Sequence, residues 1–130
     1  MLSLPPSVRI YFALDPVDLR KGFDGLCNVT RSLLDEDPMS GHLFVFINRR
    51  GNRAKILFWD RTGWVIYYKR IERGTFRAPK RAGLGEVKVE VEAAELMLIL
   101  EGIDLAGARR RPRWEPKTKS KKSVTLRRRT

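Results

Sequence analysis

The chain has 130 residues, 42% of them hydrophobic, with a formal net charge of +12 and a pI near 10.6. That length suits one domain with a modest core needing no disulfide or metal staple, and a single cysteine, Cys27, excludes an intrachain disulfide. The longest apolar runs, 43–47 and 96–100, fall far short of the ~20 residues of a membrane-spanning helix, and Met1-Leu-Ser-Leu-Pro-Pro6 lacks the basic start of a secretory signal, so a soluble, reduced, cytoplasmic protein is expected.

The charge is segregated. Residues 1–47 carry −2, 48–81 carry +9, 82–108 carry −5 and 109–130 carry +10. Two basic blocks separated by an acidic one point to nucleic acid as the partner class, ahead of an acidic membrane surface or an acidic protein.

In chain order, Val8 to Leu14 reads as a first strand after Pro5-Pro6. Asp15-Pro16-Val17-Asp18 carries helix-start chemistry, with Asp15 as cap and Pro16 at the first helical position. It predicts a helix to about Leu34, with Leu19, Phe23, Leu26, Val29 or Thr30, and Leu33 forming its apolar stripe. Asp35-Glu36-Asp37-Pro38 is a loop without the rhythm of a calcium site. Leu43 to Ile47 is apolar on both alternating faces and reads as a buried strand. Strands from Arg53 to Asp60 and from Trp64 to Arg70 follow, joined by Asp60-Arg61-Thr62-Gly63, which fits a three-residue hairpin loop with Gly63 in the left-handed position. With Asp60 opposite Trp64, one face carries Ile56, Phe58, Ile66 and Tyr68. The other carries Arg53, Lys55, Leu57, Trp59, Val65, Tyr67 and Lys69, with Lys55 facing Lys69.

That second face interleaves cations with rings, a composition suited to phosphate contacts and base stacking. The competing reading is an ordinary half-exposed sheet whose lysine stems cover apolar rings. The candidate nucleic-acid-binding residues are Arg49, Arg50, Arg53, Lys55, Trp59, Tyr67, Lys69, Arg70, Arg73 and Arg77. Further on, 72–74 reads as a turn and 76–79 as an extended piece. Residues 86–91 alternate as an edge strand, and 92–101 form a helix ended by Gly102. The stretch 109–130 is nearly all Arg, Lys, Ser, Thr and Pro and is expected to be a disordered, salt-sensitive tail. The expected architecture is therefore α+β: a mainly antiparallel β-sheet with two helices packed on one face, in a single domain over 1–108, followed by a disordered basic C-terminal tail over 109–130.

Catalytic chemistry is hard to assemble. His42 is the only histidine, Cys27 is alone, and no G-x-x-x-x-G-K-[ST] loop occurs. Cys27 with His42 would be a nominal nucleophile and base, but a thiol on a predicted helix is more often a small buried apolar group. Asp15, Asp18 and Asp60 already have capping or turn roles, and Asp24 and Asp104 do not complete a metal constellation. The expectation is no enzyme activity, no metal, no cofactor and no small-molecule substrate.

Several segments together resemble one family: Leu4-Pro-Pro with Val8-Arg-Ile-Tyr, Pro16-Val-Asp-Leu-Arg-Lys-Gly-Phe-Asp-Gly-Leu26, and Gly41-His-Leu-Phe-Val-Phe-Ile-Asn-Arg-Arg-Gly51. Lys55-Ile-Leu-Phe-Trp-Asp60, Gly63, Tyr68-Lys-Arg-Ile-Glu-Arg-Gly74 and Leu100-Glu-Gly-Ile-Asp104 continue it. The chain resembles the TnpB (Orf-two-like) accessory proteins of the bacterial insertion-sequence family IS66, over most of residues 4–114. Leu19 stands where that family commonly has Met, and Arg61-Thr62 where it commonly has small or acidic turn residues. The resemblance implies a non-catalytic protein encoded beside a larger transposase and needed for efficient movement of the element, with no catalytic residues to carry over. Its implied partners are element DNA, the transposase and other element-encoded proteins. The functional expectation is DNA binding in transposition, and the alternative is a protein adaptor that docks on the transposase with little DNA contact.

Overall fold

The Leu43–Ile47 strand decides the architecture. All five of its residues are buried, so both sides of the sheet at this point must be covered by other elements. The computed structural model describes residues 7–104 and 109–110. In it β1 (Ile10–Ala13), β2 (Leu43–Ile47), β3 (Arg53–Trp59), β4 (Trp64–Arg70) and β5 (Lys88–Val91) form one sheet in the order β4-β3-β2-β1-β5. β1 and β2 run parallel, and every other neighbouring pair is antiparallel. The helices are α1 (Phe23–Ser32) and α2 (Ala93–Leu100), with a short 3-10 turn at Pro38–Ser40 between α1 and β2. A two-residue pairing of β6 (Ile103–Asp104) with β7 (Arg109–Arg110) follows α2.

The α+β class and the mainly antiparallel sheet are as the sequence indicates, but the helices do not share a face. Leu96, Ile99 and Leu100 of α2 pack with Ile10, Phe12, Leu43, Val45, Ile47, Ala54 and Ile56. Leu26 and Cys27 of α1 pack with Ala13, Phe44, Phe46 and Leu57 on the other side. Alternate residues of β2 thus feed two separate cores, each needing its own helix. A fully buried Leu or Phe is worth roughly 1.5–3 kcal/mol, so neither face could be left to water. Most of the basic tail expected from residue 109 onward lies outside the described residues.

The first helix also begins later than its Asp-Pro signal suggests. Residues 14–22 cross the end of the sheet in irregular conformation, with the Val17 N–H donating to Ile47 O at 3.0 Å and Val17 and Leu19 buried. Asp15 does not cap the helix. It pairs instead with Arg81 at 2.8 Å, while Asp18 accepts from the Arg20 N–H in a local turn. Helix begins only after Gly22, and the one buried polar side chain among the described residues, Thr30, donates to Leu26 O at 2.8 Å.

The β3–β4 register differs by one residue from the sequence expectation. Trp59 pairs with Trp64, Lys55 with Tyr68, Ala54 with Lys69 and Arg53 with Arg70. Asp60 N donates to Gly63 O at 3.1 Å, so the hairpin closes on two residues rather than three, and Arg61 (φ 84°), not Gly63, takes the left-handed conformation. The tighter turn is held by the Asp60 carboxylate, which accepts from Thr62 N (3.2 Å), Gly63 N (3.0 Å) and Thr62 Oγ1 (3.2 Å). Those donors, the Thr62 and Gly63 amides first, hold its pKa below the ordinary 3.8.

At the far side of the sheet Lys88 closes the α1 layer. Its Nζ donates to Leu34 O and pairs with Glu36 Oε2, both at 2.6 Å, and lies 5.6 Å from the Tyr11 ring centre. With both partners about three-quarters covered, Lys88→Met keeps the stem packing but strands a carbonyl and a carboxylate. It is expected to cost about 1–3 kcal/mol, seen as a lower urea midpoint at unchanged slope. Arg61→Gly is expected to stabilise by about 1 kcal/mol, as relief of roughly 1–3 kcal/mol of left-handed strain outweighs roughly 0.5–1 kcal/mol of added chain entropy. Asp60→Ala should destabilise at neutral pH. The Asp60 carboxyl titrates lower in the folded than in the unfolded chain, so its contribution is complete above about pH 5 and fades as the pH falls through the folded value. Wild-type and variant stabilities should therefore converge in acid urea titrations.

Candidate nucleic-acid interface

The observed register sorts the basic residues differently from the sequence reading. Side chains alternate across a strand. Arg53, Lys55 and Trp59 therefore share the α1 face with Trp64, Tyr68 and Arg70, while Tyr67 and Lys69 belong to the α2 face. The like-charged cross-strand pair is not Lys55 with Lys69 but Arg53 with Arg70, register partners on one surface, with Arg53 donating to the Tyr68 hydroxyl and Arg70 paired with Glu72 at 3.5 Å.

Beside this pair lies a cleft of about 770 Å³, walled by the 16–20 segment on one side and the β2–β3 turn on the other, with Arg53, Lys55 and Tyr68 in its lining. The turn is tightly built. Gly51 N donates to Asn48 O, Gly51 has φ 75°, and Asn48 Oδ1 accepts from both Asn52 N and Arg53 N. Phe76, buried in the α2-side core, donates its N–H to Gly51 O at 2.8 Å, and a Cβ on Gly51 would come within 3.2 Å of Thr75. Arg49 and Arg50 are therefore exposed on a rigid tip and make no ion pair among the described residues.

Within the cleft the polar groups are preset. Arg53 Nη1 donates to the Tyr68 hydroxyl at 2.9 Å, and Lys55 Nζ lies 4.9 Å from the Tyr68 ring centre while donating to Lys21 O at 3.0 Å. Each cation keeps further N–H donors, since a guanidinium has five and an ammonium three. On the opposite wall Arg20 grips Asp18 through Nε and Nη2 (2.8 Å at the shortest). These bonds hold the Asp18 carboxyl well below the usual carboxylate range. Asp18 is the one acid in the lining against five cations, Arg20, Arg49, Arg50, Arg53 and Lys55. An extended anion with more than one negative group is what this arrangement suits.

Of the ten residues singled out from sequence, Arg49, Arg50, Arg53 and Lys55 line the cleft, and Arg70 adjoins them. Arg73 and Arg77 are exposed on the segment that Phe76 pins to the same tip. Trp59 sits at the far end of β3, about 20 Å along the strand from Arg53, with its ring 5.0 Å from that of Trp64 in an edge-on arrangement. Tyr67 is half-exposed on the α2 face, and Lys69 Nζ is committed to Leu100 O at 2.9 Å, satisfying a carbonyl at the α2 C-terminus. Sequence reasoning missed Tyr68, Arg20 and Asp18. The register error hid the first. The other two carry a usable signal, an Asp two residues before an Arg ahead of Gly22.

The cysteine and histidine are occupied structurally. Cys27 is buried, and burial pushes its thiol pKa up, away from the reactive thiolate. His42 Nδ1 accepts from the Arg9 N–H at 3.0 Å. No described helix is long and apolar enough to cross a membrane.

Comparison with known proteins agrees with the motifs. Two proteins of Sinorhizobium fredii (strain NBRC 101917 / NGR234) are similar to this chain. The uncharacterized protein y4jC is 31% identical over 116 residues, 89% of this chain and 97% of its own length. The uncharacterized protein y4hO is 34% identical over 104 residues, 80% and 88% respectively. No solved structure matches. A family model described as IS66 Orf2 like protein matches residues 8–110, so the chain belongs to the IS66 Orf2-like family, and membership implies an accessory role in transposition.

Proposed function

We propose that this protein assists transposition without catalysing strand transfer, by holding DNA backbone in the cleft between the 16–20 segment and the β2–β3 turn. The observation that carries the reading is the convergence of Arg49, Arg50, Arg53 and Lys55 on one concavity with a single, already paired acid. The register pairing of Arg53 with Arg70 adds to it, because like charges at opposed ladder positions gain from a nearby anion, here one beyond the Glu72 carboxylate that already pairs with Arg70. Contacts of this kind bind phosphate without reading sequence, so the role fits a component that grips DNA while another subunit recognises and cuts it. Transposase and other element-encoded proteins are the partners this reading implies.

The adaptor reading, in which the chain docks on the transposase and barely touches DNA, draws on the exposed Met97 and Leu98 of α2. Pulldown of the transposase after nuclease treatment separates the two, since an adaptor keeps its partner when DNA is gone.

Replacing Arg50, Arg53 and Lys55 together with Ala should weaken duplex binding at least about tenfold and reduce the salt slope by about 2–3, near 0.9 for each phosphate no longer neutralised. Lys80→Ala, a surface charge outside the cleft, should change neither. Mobility shifts across a salt series, run on the full chain and on a chain ending after Arg110, would separate the sheet from the tail. An unchanged slope in the triple variant of both chains would remove the cleft from the binding site.

A further inference from the structure

The outer backbone edge of β4, the strand whose Tyr68 side chain lines the cleft, is a second feature. β4 is the terminal strand of the sheet, and it pairs with β3 over seven consecutive residues without a bulge or a proline. The hydrogen-bond phase follows from two flanking bonds, Asp60 N to Gly63 O and Ile71 N to Asn52 O. They place Val65, Tyr67 and Lys69 at the hydrogen-bonded positions of the β3–β4 ladder. The N–H and C=O groups of Trp64, Ile66, Tyr68 and Arg70 therefore point away from β3. Among the described residues no backbone hydrogen bond reaches them from outside the sheet. Natural sheets blunt such edges with prolines, bulges, short strands or charged side chains, and β4 carries charge only at its last two residues, Lys69 and Arg70. The opposite edge, β5, is only four residues long and alternates Lys88 and Glu90 with apolar residues, whereas β4 opens on Trp64-Val65-Ile66-Tyr67-Tyr68.

The β4 sequence is complementary to itself when reversed. Antiparallel pairing of two copies about Tyr67 overlaps all seven residues, sets Trp64 opposite Arg70 and Ile66 opposite Tyr68, and brings all four outward-facing residues to hydrogen-bonded positions, about eight ladder bonds in total. Trp64 against Arg70 is a cation–π pair, and Ile66 against Tyr68 is a β-branched–aromatic pair of the kind that stabilises ladders. On the other face Val65 meets Lys69 and Tyr67 meets Tyr67. No like charges stand directly opposite. We propose that the protein forms a symmetric dimer by joining β4 strands edge to edge into one continuous ten-stranded sheet, with a second copy of this chain as the occupant of that edge.

The register makes the test sharp. At the two-fold axis Tyr67 falls at a non-hydrogen-bonded pair with Cα atoms about 4.5 Å apart, within disulfide reach. Residue 65 lies about 13 Å from its own counterpart, outside it. In nuclease-treated full-length protein at high salt, sedimentation should show a dimer at micromolar concentration. Tyr67→Cys should then form a disulfide-linked dimer on mild oxidation. Val65→Cys should not, and the wild type, whose buried Cys27 serves as the blank, should not either. Tyr67→Lys, which sets two ammonium groups face to face, should raise the dimer dissociation constant at least about tenfold with an unchanged circular dichroism spectrum. A monomeric wild type, crosslinking at Val65→Cys equal to that at Tyr67→Cys, or a dimer indifferent to Tyr67→Lys would each overturn the proposal. So would a dimer that Tyr67→Cys fails to trap.

Discussion

Burial of β2 on both sides is the constraint from which the rest follows. A five-residue strand with no polar side chain cannot sit at an edge or face water. It must have a strand on either side and a cover above and below. β1 and β3 supply the neighbours, and α1 and α2 the covers. The irregular 14–22 segment exists because the chain must pass from β1 to the far side of β2 before α1 can lie across Phe44 and Phe46. In doing so it becomes one wall of the basic cleft. The other wall, the β2–β3 turn, is the direct continuation of the same strand. Geometry that serves the core thus places the arginines of the turn and β3 across one concavity from Arg20 and its partner Asp18.

The cleft and the core also share their supports. Tyr68 receives Arg53 through its hydroxyl and Lys55 over its ring, so an aromatic residue on a strand at the sheet edge orders two long cations. The Asp18–Arg20 pair is exposed and worth little to stability. Its effect is to fix the shape of the wall and to neutralise one charge, which leaves the turn and β3 as the sources of unpaired positive charge. Lys69, one residue from Tyr68, is turned to the opposite surface and occupied at the end of α2.

Much of this is legible in the sequence and some is not, for identifiable reasons. Apolar runs and turn residues bound β2 and β4 correctly, and Gly102, with φ 81°, ends α2 as its position suggests. The two-sided apolarity of 43–47 requires a cover on each face, but the amphipathic stripes do not say which face each helix takes, and the reading with both helices on one face fails there. The hairpin is harder. Asp60-Arg61-Thr62-Gly63 supports either a three-residue loop with Gly63 left-handed or a two-residue loop with Arg61 left-handed, and the choice rests on three hydrogen bonds to one carboxylate. A slip of one residue then reverses every side chain of β4. The grouping of Arg49, Arg50, Arg53 and Lys55 in one cleft is legible from sequence because charge clustering near a turn survives such an error. Assigning Tyr67, Tyr68 and Lys69 to faces does not survive it.

The position of β1, parallel to β2 on one side and antiparallel to β5 on the other, has a consequence for how the chain acquires its structure. Ile10 lies beside Val91, so β1 has a sheet neighbour that follows it only after the whole β2-β3-β4 meander. The β2-β3-β4 meander can form from local contacts as it leaves the ribosome, but β1 has no hairpin partner and must wait for β5 to shield its far edge. Non-local closure of this kind slows folding. The meander with its basic turn is therefore the part of the sheet able to take shape from local contacts, and β1 is locked in only once β5 has been made.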